Sequence, residues 1–201
     1  MFQTFDDGFG VQPGTGFCRH GHCDMEIITY VLEGAVSHRD SLGNEGRTDA
    51  GDVQVMSAGT GVQHEEWNKG ATPAHFFQIW VFPKETGGAP RWDNAKFPKG
   101  DRAGQLITLA SGRKEDDGKG ALMIRQDAAI LGATLEPGQA VTHKLGKARF
   151  AYVVPARGQI KVNGTVVNER SAAALSDLDT VEISSAGGAE FLIADVPPLA
   201  S

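Results

Sequence analysis

The sequence predicts an all-β protein made of two barrels. Three observations carry that expectation. Short β-rich runs recur along the chain, 26 glycines punctuate them, and no segment keeps a helical apolar period for three turns. The 201 residues are enough to bury one large core or two smaller ones.

Residues 25–33 are β-branched and aromatic and form the strongest candidate strand. Residues 52–56 and 75–82 follow, the latter apolar at nearly every position, as in a strand covered on both faces. Glu33-Gly34, Leu42-Gly43-Asn44, Ala50-Gly51-Asp52 and Ser57-Ala58-Gly59 supply turns between them. At most a single helical turn is expected, near 92–95. The stretch 83–104 is rich in Gly, Pro and charge and reads as a linker. Beyond it, 121–126, 130–135, 140–145, 150–154, 159–162, 182–184 and 190–196 are strand candidates of a second unit. Asn163-Gly164, between Ile160-Lys161-Val162 and Thr165-Val166-Val167, is the strongest hairpin signal. The expected domains are 1–95 and 104–201.

The net charge is −6, and no Lys/Arg cluster forms a stripe for phosphates. Direct nucleic-acid binding is therefore not expected, whereas a protein partner is left open. No apolar run approaches the roughly 18–20 residues of a membrane span, and the N-terminus lacks the pattern of a secretory signal. A cytoplasmic protein without membrane association is the expectation. The two cysteines, Cys18 and Cys23, do not amount to a disulfide scaffold. Cys18 reads as a buried thiol, and a bond to Cys23 is not expected within one continuous strand.

The chemistry lies in two short pairs. His20-Gly21-His22, read as the start of the strand of residues 25–33, places two imidazoles at i and i+2, on one face of that strand. His64-Glu65-Glu66 does the same for an imidazole and a carboxylate. Brought together on neighbouring strands, His20, His22, His64 and Glu66 offer three nitrogens and one oxygen. That set suits a first-row divalent ion and leaves coordination positions open for substrate or dioxygen. Glu26 shares parity with His20 and His22 and is a rival carboxylate, and Cys18 shares it too; parity alone does not decide, because a bulge reverses it. His38 reads as a surface residue at a hairpin end, and His75 as a core or rim residue. His143 has Leu145 where a second histidine would stand, so the second unit reads as structural and metal-free.

These residues carry a resemblance. Gly14, His20-Gly21-His22, Glu26 and Gly34 resemble the first cupin motif, and Gly51, Gly59, His64 and Asn68 the second. The run from His20 to Gly34, with His38-Arg39-Asp40-Ser41-Leu42-Gly43-Asn44, Gly51 to Glu66 and Gln78-Ile79-Trp80-Val81-Phe82-Pro83, resembles the pirins most. The resemblance implies a bicupin with one metal in the N-terminal barrel, held by His20, His22, His64 and Glu66, and so favours Glu66 over Glu26. It implies Fe(II) first, with Mn, Ni, Co, Cu or Zn as alternatives. It further implies oxygen-dependent cleavage of flavonols such as quercetin, with Glu66 as ligand and base. The alternative is a non-enzymatic, iron-dependent redox regulator acting through protein partners. Gly21 and Cys23 depart from the residues usual in the family. The family also has a longer aromatic-rich segment before the first motif, so a first barrel shortened at its N-terminal side is expected.

Overall fold

The computed structural model describes the backbone of residues 2–5 and residues 10–198 in full. Contacts divide the chain into two compact units, one of 1–97 with 122–126 and one of 98–121 with 127–201. Each contains strands in two antiparallel sheets.

The first unit holds β1 (Phe2–Phe5), β2 (Gly16–His22), β3 (Glu26–Glu33), β4 (Ala35–Asp40), β5 (Glu45–Asp49), β6 (Val53–Ser57), β7 (Val62–Trp67), β8 (His75–Val81) and β9 (Arg91–Ala95). β10 (Ile107–Ser111) lies in the second unit, and the short β11 (Leu122–Met123) returns to the first. One sheet of the first unit runs β1-β8-β3-β6-β9 and the other β2-β7-β4-β5. β3 and β6 are central, and their Val, Ile, Tyr and Met side chains are buried on both faces. β7 alternates instead: Val62, His64 and Glu66 point inward and are buried, while Gln63 between them is exposed. Ile27, Met56, Ala58 and Val62 pack with Met25, Trp80 and Trp92, and Val31, Val36 and Phe76 pack with Val11 and Phe17.

The second unit continues with β12 (Ala129–Leu135), β13 (Ala140–Lys144), β14 (Phe150–Gly158), β15 (Ile160–Val162), β16 (Thr165–Val167), β17 (Ala173–Ser176), β18 (Thr180–Ser184) and β19 (Ala189–Val196). β10-β12-β19-β14-β17 lie side by side, and β13-β18-β15-β16 form the facing set. Asn163 and Gly164 both take positive φ, 47° and 83°, as a two-residue turn between β15 and β16 requires.

Three expectations need correction. Residues 92–95 lie in β9 and form no helical turn; paired with β6, they continue the sheet. The described helical turns are 3-10, at Lys99–Arg102 and Lys114–Asp116. Residues 122–126 belong with the first unit, not the second. His20 and His22 do not begin the strand of residues 25–33. They end β2, in the other sheet, because Asp24 takes φ +47° and breaks the run. Its N–H donates to the Gly59 carbonyl, and its carboxylate accepts the N–H of Gly87. Residues 1, 6–9 and 199–201 lie outside the described residues, so only Phe2–Phe5 of the N-terminal segment is placed, at the sheet edge beside β8. Among the described residues no helix is long and apolar enough to cross a membrane.

Candidate metal centre

Pairing of β2 with β7 builds the centre. His20 lies opposite His64, and His22 opposite Val62. A register shift between Phe17 and His20 inserts one residue, a bulge that re-aims the end of β2. The ring centres of His20 and His64 stand 4.4 Å apart, His20 and His22 4.9 Å, and His22 and His64 5.1 Å. One ligand atom from each of the three lies within 4.8 Å of the others. The same criterion joins His38, His64 and Glu66, so His64 belongs to both trios. Exposure grades from His20, at the solvent, through His22 to buried His64.

The protonation pattern suits a cation. Nδ1 of His20 lies 2.8 Å from the Cys18 carbonyl. A carbonyl only accepts, so Nδ1 carries the hydrogen and Nε2 presents its lone pair. Burial, with His20, His38 and His22 close by, pushes His64 down to about 3, and burial and His20 also lower His22. His64 is therefore a neutral imidazole near pH 7. Both its ring nitrogens are buried without a hydrogen-bond partner. A buried polar atom left bare is costly; a neutral imidazole has one lone pair, and that of His64, bare beside two further imidazoles, fits a metal ion.

Glu66 is held from both sides. Its Oε1 accepts Gln54 Nε2 at 2.5 Å and its Oε2 accepts Gln78 Nε2 at 2.9 Å. Each amide is itself oriented: Thr48 Oγ1 donates to Gln54 Oε1, and Trp80 Nε1 donates to Gln78 Oε1. Burial raises the Glu66 carboxyl above the ordinary range, opposed by the Gln78 and Gln54 amides and by His20.

Glu26 is placed elsewhere. It is buried on β3, accepts the Ser57 hydroxyl at 2.7 Å and a backbone N–H of Arg125, and joins neither trio. Glu26 would share a face with His20 and His22 only in one strand through 20–26, which Asp24 interrupts. Cys18, expected to be buried, is exposed, as is Cys23; both are free thiols.

His38 also departs from expectation. It is buried on β4, not at the surface, beside His64 and stacked on Trp92 at 4.8 Å and 7°. Val36, His38 and Asp40 share one face with an apolar leader, and that period was the available signal. Gln54 and Gln78 were likewise missed as carboxylate partners; each is a polar residue with apolar neighbours on both sides in its strand.

The antiparallel strands form a cupin-type fold, and the His/Glu cluster, in which His64 is shared by a trio with His20 and His22 and a trio with His38 and Glu66, suggests a divalent metal. The chain belongs to the pirin family: residues 2–81 match the family model for Pirin, and 108–196 match that of the quercetinase C-terminal cupin domain. It is 51% identical over 185 residues to a pirin-like protein of Caulobacter vibrioides, covering 92% of this chain and 79% of that one. It is 34% identical to a quercetin 2,3-dioxygenase of Escherichia coli, over 94% of this chain and 80% of the relative. Among solved structures, the E. coli pirin YhhW in complex with nickel(II) superposes with a TM-score of 0.85 at 30% identity, covering 98% of this chain and 92% of that one.

Proposed function

We propose that the chain is a metal-dependent dioxygenase that opens flavonols such as quercetin with O2. Its site would be His20, His22, His64 and Glu66 around one divalent ion, Fe(II) in the first instance. The observation that carries this reading is the bare, buried His64 between two trios of donors. The ion, when bound, supplies a Lewis acid with open positions for the adjacent oxygens of an enol and for dioxygen. His20 at the exposed end leaves the site open to an aromatic substrate from solvent. Glu66, fixed by Gln54 and Gln78, takes the enol hydroxyl proton as general base. The names of the E. coli relative and of the nickel complex support the substrate class and a divalent ion.

Oxygen uptake with quercetin tests the proposal. Iron-loaded wild type should consume oxygen, and Glu66→Gln should lower the rate by about 10²–10⁴-fold. Glu26→Gln should do less. No uptake by folded, metal-loaded wild type would favour a regulator that acts through protein partners. Equal rates in wild type and Glu66→Gln would discard Glu66 as base.

A further inference from the structure

His38 is a buried histidine that the four-ligand reading leaves without a task. Its Nε2 meets Oδ2 of Asp40 at 3.2 Å. Asp40 is fixed in turn. Its Oδ1 accepts the backbone N–H groups of Leu42 and Asn44 at 2.9 and 3.0 Å, and its Oδ2 accepts the Asn44 side-chain amide at 2.8 Å. A carboxylate only accepts, so Nε2 of His38 carries the hydrogen and Nδ1 presents a lone pair. That Nδ1 is buried and has no partner. The ring is held flat by Trp92, and a Cβ added at Gly46 would come within 2.3 Å of the Trp92 indole, so Trp92 is pressed between the two.

His64 has the complementary need. A metal takes one of its nitrogens, and the other keeps a hydrogen that a buried site must satisfy. The rings of His38 and His64 are 5.4 Å apart and tilted by 38°. Two imidazoles joined by an N–H···N bond have a similar separation: about 3 Å between nitrogens plus about 1 Å from each nitrogen to its ring centre.

The structure does not make this bond, since His38 Nδ1 and both His64 nitrogens are without partners; we propose that, when a metal takes one nitrogen of His64, His38 Nδ1 accepts the N–H of the other, so that Asp40, His38 and His64 form one line that sets the tautomer and orientation of a metal ligand. His38 and Asp40 are then positioning residues that touch neither substrate nor ion. The proposal rests on the metal-site reading above and adds residues that the four-ligand set lacks.

The test compares wild type with two variants. His38→Phe keeps an aromatic ring on Trp92 but removes the acceptor. Asp40→Asn can offer an N–H to Nε2, which moves the hydrogen to Nδ1 and turns the acceptor into a donor. Cobalt(II) affinity is measured by competition with a chelator, and coordinated imidazoles are counted by pulsed EPR of the copper(II)-loaded protein. Both variants should bind cobalt about 10–100-fold more weakly, with the imidazole count unchanged, and the double variant should be no weaker than His38→Phe. Wild-type affinity in either folded variant overturns the proposal. One fewer coordinated imidazole in His38→Phe also overturns it, since His38 would then be a ligand. If circular dichroism shows that His38→Phe does not fold, Asp40→Asn decides alone. A wild type that binds no cobalt removes the metal-site reading and this proposal together; wild-type binding matched by both variants removes this proposal only.

Discussion

In the first unit β7 turns Val62, His64 and Glu66 to the interior. In the second, β18 holds the same place in its sheet, between β13 and β15, and turns in Val181 and Ile183. Opposite His64 stands His20, whereas opposite Val181 stands His143. The strand plan is repeated, and the inward residues differ. One interior is polar, with Thr48, Gln54, Gln78 and Glu66 hydrogen-bonded to one another. The other is filled by Leu131, Leu145, Val153, Ile160, Val181, Ile183 and Phe191. His143 meets no second histidine. Its Nε2 lies 2.8 Å from Oδ2 of buried Asp195, which also accepts from Arg113 and Arg149. A period of two decides which residues face inward; their chemistry decides whether the space becomes a ligand cage or a packed core.

Perturbing each interior sharpens that contrast. The largest stability effect is expected from Asp195→Ala, which strands Arg113, Arg149 and His143 without their shared carboxylate. Breaking such a buried set by removing one partner costs about 3–5 kcal/mol, read from denaturant unfolding. Cobalt affinity of the folded variant should not change. The same carboxylate gives the second unit an acid limit. Burial raises its pKa, but hydrogen bonds from His143 and Arg149 outweigh it and hold Asp195 below the ordinary value of 3.8. A carboxylate depressed on folding contributes stability that is fully present above the unfolded pKa and lost as pH falls through the folded one. The stability gap between wild type and Asp195→Asn should therefore be flat at neutral pH and shrink below about pH 4. A gap that persisted unchanged into strong acid would contradict the assignment.

Gln78→Leu probes the first interior. It removes an amide that positions Glu66 and should weaken cobalt binding about 10–100-fold, by chelator competition. The smallest effect belongs to Ile183→Val, with a loss of about 0.5–1.5 kcal/mol in unfolding and unchanged metal affinity.

Much of this was legible in the residues. Alternation in His20-Gly21-His22 and His64-Glu65-Glu66 brought the imidazole trio together, and Asn163-Gly164 marked its hairpin, because both signals act over a few residues. What escaped depended on distant partners or on one backbone angle. Asp24 at positive φ separates β2 from β3, and its anchors are Gly59 and Gly87. That turn removed Glu26 from the face of His20. The edge strand β9 hid in a Gly- and Pro-rich stretch because its pairing with β6 is set by tertiary contact. His38 looked like a hairpin-end residue because its polar neighbours Arg39 and Asp40 suggested solvent, although Asp40 is buried too.

The central claim is that the first interior, and not the second, holds the ion. Metal analysis of protein purified without added metal or chelator tests it most directly, on wild type, on His20→Ala combined with His22→Ala, and on His143→Ala. The account predicts one divalent ion per chain in wild type and in His143→Ala, and none in the double variant. Full occupancy in the double variant, or loss of the ion in His143→Ala, would contradict it.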